Sequence, residues 1–219
     1  MELLTAFSGK LWHLRENPAG ASPQFYDSVT LAFDGTANGS MTAGDQVAAK
    51  IDGGLDLDGG DDYVYGPKSD SLRNMSALTV SAWVKRNGTG GQAVTYDGNS
   101  WGAWNMAAGA TAGFAVSDNG NWYNSGDSTT PLDAGKWRHV AGVWDGAKVR
   151  IYVNGIEENS GNASITLGGT DGEDRLRIAR DGWDGGPGYL GGIVDEVRVS
   201  AAARSSNWLW ACWMNAESN

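Results

Sequence analysis

The chain has 219 residues, 41% of them hydrophobic, with 11 Trp, 33 Gly, 5 Pro, one Cys and a formal net charge of −10. That length suits one large all-β domain, and abundant Gly beside scarce Pro and plentiful Trp fits many turns around a real core rather than disorder. The acidic balance excludes nucleic acid and anionic membrane surfaces as partners, and disfavours polyuronic or sulfated glycans unless Arg and Lys cluster locally.

Cys212 is alone, so no intrachain disulfide can form. The chain has no apolar run of about 18 residues, so no membrane span is expected. The opening MELLTAFSGK has no basic region followed by a long apolar stretch and does not read as a signal peptide. Residues 11–14 (LWHL) form a short strand in this reading, with Trp12 and Leu14 on one face; 17–23 (NPAGASP) is a loop. From residue 47 onward strands are expected at 55–58, 62–66, 77–86, 92–97, 101–108, 112–117, 136–145, 148–154, 174–180 and 188–199. Gly, Asn and Asp fill the gaps, as turn chemistry requires, and the regular spacing argues for a two-sheet sandwich. The clearest pair is WRHVAGVWDGAKVRIYVNG (137–155). Trp137, His139, Ala141 and Val143 share one face of its first strand, and Val149, Ile151 and Val153 one face of its second. Asp145-Gly146 lies between, a pair suited to a hairpin loop whose backbone must reach positive φ. Near the end, Leu209, Cys212 and Trp213 fall at i, i+3, i+4, and Ser205 or Ser206 can cap, which predicts a short amphipathic helix.

These blocks carry a resemblance. In Trp137, His139, Val140, Ala141, Asp145, Gly146, Tyr152, Val153, Asn154 and Gly155 the hairpin resembles the "W-x-H-V-A…D-G…Y-V-N-G" segment of the laminin-G-like jelly roll, in the concanavalin A-like lectin/glucanase superfamily. LDLDGGDDYV (55–64), LTVSAWVK (78–85) and GGIVDEVRVSAAARS (191–205) match further blocks in the same order, so the likeness covers roughly residues 10–205. It implies an all-β, two-sheet antiparallel β-sandwich (a concanavalin A-like jelly roll) with a short C-terminal helix. Residues 1–219 would form a single domain of a larger exported or cell-surface protein. The resemblance also implies one structural Ca²⁺ where an early turn meets the last strand. Asp195 stands at the recurrent ligand position, with Asp27 and the turn residues Asp58, Gly59 and Asp62 as further donors. Calcium takes six to eight oxygens, and Gly/Asp turns supply carboxylates and free carbonyls.

The hydrolases of that superfamily carry carboxylates at alternate positions of one strand, E-x-D-x-E, because same-face spacing lets one act as nucleophile and another as acid. No strand here has that pattern. Asp195 and Glu196 are adjacent, and neighbours on a regular strand point to opposite faces. His139 reads as structural.

Trp and Tyr faces bind the C–H patches of sugar rings, and neighbouring Asn and Asp hydrogen-bond the hydroxyls. DGNSWGAWN (97–105), SDNGNWYNSGD (117–127) and DGWDGGPGY (181–189) have this character. Parity makes Trp104 the core residue, beside Met106, and leaves Trp101 for ligand. Trp101, Trp122, Tyr123 and Trp183 are the expected sugar platforms, with Asn105, Asp118, Asn121 and Asn124 as hydrogen-bonding partners. Trp83, Trp137 and Trp144 are assigned to packing, and Trp208, Trp210 and Trp213 to anchoring the helix. The function these features favour is noncatalytic carbohydrate binding by a lectin-like module. The alternative is an adhesion or spacer domain whose exposed aromatics touch neighbouring domains of the parent protein, and the third reading is a polysaccharide hydrolase or lyase.

Overall fold

A computed structural model describes residues 9–29, 33–97, 103–168, 175–181 and 188–217, with the backbone alone at positions 70 and 97. In chain order the strands are β1 (Lys10–Trp12), β2 (Thr36–Asn38), β3 (Gln46–Val47), β4 (Gly54–Asp58), β5 (Tyr63–Tyr65), β6 (Leu78–Arg86), β7 (Gly91–Asp97), β8 (Trp104–Ala108), β9 (Ala112–Asp118), β10 (Asn121–Asp127), β11 (Arg138–Trp144), β12 (Lys148–Val153), β13 (Ile156–Asn162), β14 (Arg175–Ile178) and β15 (Gly191–Ser200), followed by the helix α1 (Ser206–Glu217). They form two antiparallel sheets, the expected sandwich. One has eight strands, β13-β12-β11-β6-β15-β4-β3 with β1 beside β15; the other has seven, β10-β9-β8-β7-β14-β5-β2.

Period-two patterning puts one row of each strand into the space between the sheets. Val140, Trp144, Val149, Ile151 and Val153 of the β11–β12 hairpin meet Trp104, Met106, Phe114 and Val116 of β8 and β9 in a single core. The hairpin loop turns at Gly146 (φ 90°), and Asp145 Oδ1 accepts the amides of Ala147 and Lys148. The core indoles of Trp12, Trp104 and Trp144 each donate Nε1–H to a carbonyl (Phe33, Leu72 and Ala163, at 2.7, 2.7 and 2.8 Å), so their burial leaves no orphaned donor. Gly142 faces the ring of Phe114 so closely that a Cβ there would lie 2.2 Å from it. That missing side chain lets the two sheets approach.

The outer face of the eight-stranded sheet is also covered. Ala141, Val143 and Tyr152 pack against Leu209 and Trp208 of α1, whose first turn is capped by Ser205 Oγ accepting the Trp208 amide at 3.3 Å. The buried helix positions are Leu209, Cys212 and Ala216. Trp210 is half exposed, at 50%, so it does not anchor the helix as expected. Its backbone lies against Gly155.

Four strands were not foreseen. β2 and β3 are too short to show a period. β10 and β13 are edge strands of polar residues, Asn-Trp-Tyr-Asn-Ser-Gly-Asp and Ile-Glu-Glu-Asn-Ser-Gly-Asn, which read as loops because half their ladder and both faces escape the core.

Candidate functional site

Among the described residues, no helix crosses the outer face of the seven-stranded sheet. Residues directly opposite in antiparallel strands share a face, so one row can be followed across all seven strands. It runs Asn124, Ala115, Asn105, Thr95, Arg177, Tyr65, Thr36. Ala107 and Gly113, next along β8 and β9, join Ala115 as a floor of small residues. Trp122, opposite Ser117, stands on this face beside Asn124 and is 38% exposed.

Of the expected sugar-contacting residues, the fold therefore brings Asn105, Trp122 and Asn124 onto one surface. Asp118 and Asn121 sit at its rim, where the β9–β10 hairpin turns through Asn119 (φ 46°) and Gly120 (φ 84°), and Asn121 Nδ2 donates to the Asp118 carbonyl. Tyr123 departs from the set: it pairs with inward-facing Val116 and turns to the other side at the sheet edge. Trp101 and Trp183 lie outside the described residues.

The opposite end of the face holds residues the sequence reading passed over. Tyr63 and Tyr65 meet edge to face with ring centroids 4.8 Å apart, and Tyr189 lies 6.0 Å from Tyr63. Three guanidinium groups lie over these rings: Arg175 and Arg177 over Tyr65 at 5.5 Å each, and Arg180 over Tyr63 at 4.7 Å and Tyr189 at 5.5 Å. Thr95 Oγ donates to the Arg180 carbonyl and ties the segment after β14 to the sheet. Burial raises the Tyr65 phenol, but the Tyr63 hydroxyl and the Arg177 and Arg180 charges outweigh it and hold it below its usual value. Burial and the Tyr65 partner push Tyr63 up to about 12. The signal was present as Y-V-Y at 63–65 and R-L-R at 175–177, period-two pairs on two expected strands.

The calcium set does not converge. Asp58 pairs with Gly191 at the start of β15, and Asp195 lies four residues on, about 13 Å along the strand. Asp195 Oδ2 instead accepts the Ile51 amide at 2.7 Å. Burial and the adjacent Glu196 carboxylate push Asp195 up to about 7, and its Oδ1 has no hydrogen-bond partner. Asp27 is fully buried and accepts the amides of Leu11 and Val29, beyond the far end of that span of β15. Gly59, at φ 77°, packs against Thr89 and Gly191 as a turn glycine. What does cluster is Asp58, Asp61 and Asp62, with carboxylate oxygens within 4.8 Å of one another. Asp58 Oδ1 already accepts the amides of Gly60 and Asp61, and Asp62 those of Ser40 and Asp58. The five expected donors thus do not gather around one point; among the described residues, Asp58, Asp61 and Asp62 are the carboxylates that cluster.

Asp195 and Glu196 also break the simple parity rule. A bulge between Asp195 and Arg198, with Glu196 at φ 54°, turns Glu196 toward His13 and Arg198, while Arg198 reaches Cys212 of α1 at 3.4 Å. Both carboxylates are buried, at 0% and 3% exposure, so neither faces a groove where a substrate could sit. His139 is buried against Trp83 at 5.4 Å, and burial with the nearby Arg198 charge lowers it to about 3. It is a structural histidine.

A family profile for the concanavalin A-like lectin/glucanases superfamily, Laminin_G_3, matches residues 58–209. The chain belongs to that superfamily. No curated protein matches the sequence. Among solved structures, the binding domain of Paraclostridial Mosquitocidal Protein 1 superposes with a TM-score of 0.72 at 13% identity, over 97% of this chain and 52% of that one. Domain 4 of an extracellular arabinanase from Geobacillus stearothermophilus, solved with arabinotriose, gives 0.66 at 18% identity, over 93% of this chain and 98% of that one. The botulinum neurotoxin serotype D ligand-binding domain, solved with N-acetylneuraminic acid, gives 0.66 at 11% identity, over 94% and 50%. The superfamily chain thus spans about half the length of the toxin domains and nearly all of the arabinanase domain. At these identities the likeness establishes the jelly-roll fold.

Proposed function

We propose that the chain is a noncatalytic, lectin-like glycan-binding module, and that the outer face of the seven-stranded sheet is its binding surface. The observation that carries this is the single row across that face. Asn124 and Asn105 flank the small side chain of Ala115, Trp122 stands beside Asn124, and Tyr65 stands further along the row beyond Thr95 and Arg177, both buried in the sheet, so a ring platform and hydrogen-bonding groups border a place without bulky side chains. The arabinotriose-bound relative supports it, since nearly its whole length is matched. Affinity per site is modest, because a shallow face buries little and sugar hydroxyls exchange water for protein partners. An exported or surface setting, within a larger protein, belongs to the same reading. So does calcium, confined to the Asp58–Asp61–Asp62 turn as a brace away from the sugar.

Affinity electrophoresis through gels containing single polysaccharides tests the proposal. Retardation by one glycan that is lost in Trp122→Ala and weakened in Asn105→Ala supports it. Retardation unchanged in both variants places binding elsewhere, and none across a broad panel removes the glycan reading. A second reading, a spacer domain contacting protein neighbours, draws on Ile156, Trp210 and Met214, exposed at 61%, 50% and 42% around the β13–α1 contact.

A further inference from the structure

The strands around Trp122 and Asn105 carry no positive charge. Between Arg86 and Lys136 the sequence has no Lys, Arg or His, and this stretch supplies β7, β8, β9 and β10. Its charged residues are all aspartates, and one of them, Asp127, stands on the open face. A bulge in β10 between Asn124 and Asp127, with Gly126 at φ 77°, sets Asp127 opposite Gly113, which in turn is opposite Ala107. Asn124 Oδ1 accepts the Gly126 amide at 3.1 Å and holds the bulge. Ala112 and Phe114 are buried on either side of Gly113, so position 113 points outward. A Cβ there would lie 3.6 Å from Asp127 Oδ1 and 4.0 Å from the Gly126 carbonyl oxygen, and no other described residue beyond its chain neighbours comes within 4 Å. The floor at Gly113 is therefore open above and bordered by a carboxylate. Asp127 is exposed; its carbonyl accepts Asn159 Nδ2 at 3.0 Å, while its carboxylate makes no hydrogen bond or ion pair with the described residues. The side-chain amide of Asn105, diagonally across the floor, is likewise without a partner among them.

We infer that the glycan bound on this face is uncharged, and that Asp127 and Asn105 take its hydroxyls over the floor of Gly113 and Ala115 while Trp122 supports a ring beside them. The inference rests on the glycan-binding reading and adds to it a ligand class and a contact residue, Asp127. An ionised carboxylate is an acceptor only, with two oxygens, so it can receive two hydroxyl donors at once. Such charge-assisted bonds are shorter and about twice as strong as neutral ones. The same carboxylate discriminates by repulsion, since a uronate or sulfate on this floor would meet a like charge that no cation of β7 to β10 offsets. Arg177, in the row of Asn105, stands two strand spacings from Asn105 and four from Asp127, about 10 and 19 Å between backbones. At physiological salt, fields fade over about 8 Å, so that arginine does not neutralise Asp127.

The test uses matched pairs in affinity gels: arabinan, linear galactan and hydroxyethylcellulose, each against its carboxymethylated derivative, and methyl-esterified polygalacturonate against the free acid. The expected result is retardation by at least one neutral polymer and not by its acidic partner. Asp127→Asn keeps the size of the side chain and weakens that binding by about tenfold or more, the size of one lost charge-assisted hydrogen bond. It also narrows the gap between the neutral polymer and its acidic partner, a change that loss of a merely structural contact would not bring. Gly113→Val fills the floor and abolishes retardation. Its Cβ makes only ordinary contact with Asp127, and strands favour β-branched residues, so the fold is expected to hold. Thermal melts confirm that each variant is folded. Should Gly113→Val not fold, Asp127→Asn, on an exposed side chain, decides. Equal or stronger retardation by the acidic partners overturns the inference. Neutral binding that is lost in Trp122→Ala but native-like in folded Asp127→Asn or Gly113→Val sinks the inference and keeps the glycan module. No retardation by any polymer sinks both.

Discussion

Replacing Asp195 with Asn is expected to unmask an acid instability that the native protein hides. Asp195 and His139 flank Trp83 in one row across β15, β6 and β11, and all three are buried. Asp195 has a folded pKa of about 7 against about 3.9 unfolded, so the native state takes the proton first. Its contribution to stability is present below about pH 3.9 and is lost as pH rises through 7. His139 has the opposite sign: about 3 when folded against about 6.5 unfolded, so stability is lost as pH falls below 6.5. Between about pH 4 and 6.5 each contributes a slope near 1.4 kcal/mol per pH unit, and the two cancel. Asn at 195 keeps an acceptor for the Ile51 amide and does not titrate. The variant therefore loses about 3 kcal/mol between pH 6.5 and 4, while His139→Gln gains toward acid. Urea unfolding midpoints from about pH 4 to 7.5, for the native chain and both variants, measure this directly. Lys50, His13, Glu196 and Arg198 are common to all three proteins, so differences between the profiles isolate the two groups. Parallel profiles for the native chain and Asp195→Asn would refute the reasoning.

Three further outcomes are expected. Trp122→Ala weakens glycan retardation about tenfold with little change in melting temperature, while Tyr123→Ala, on the other side of β10, leaves retardation unchanged; equal losses would mean the two rings act together. Gly142→Ala forces a methyl group into the Phe114 ring and costs about 1–3 kcal/mol by chemical unfolding, part of which Phe114→Leu recovers; a neutral result would mean the core yields there. Calcium raises the melting temperature, chelator reverses the shift, and Asp58→Asn or Asp62→Asn abolishes it; no shift in the native chain retires the metal reading.

Most of the fold could be read from period-two patterning, because a strand with one face in the core must alternate. Trp104 and Met106 were placed inward by parity alone and are fully buried. The edge strands β10 and β13 could not be found this way, since they bury too little to impose a pattern. The site was half legible. Asn105, Trp122 and Asn124 carry the right chemistry, but that they share a surface while Tyr123 does not depends on strand pairing, a long-range fact. The Arg–Tyr cluster escaped notice because its members come from β5, β14 and the segment before β15, and only the sheet order makes them neighbours. Asp195 receives the Ile51 amide and lies away from the Asp58 turn, and nothing local to either segment announces that contact.

The ring of Phe114 seated on Gly142 has a consequence for recognition. Phe114 hangs from β9, and its neighbours on that strand, Gly113 and Ala115, form the floor of the open face. A pin driven from beneath that floor into the opposite sheet fixes its height before any ligand arrives. A platform set in advance leaves little to be ordered on association, chiefly the rotamers of Trp122 and Asn124. Such a surface measures its ligand by shape, as a gauge does, and does not mould itself around whatever lands on it.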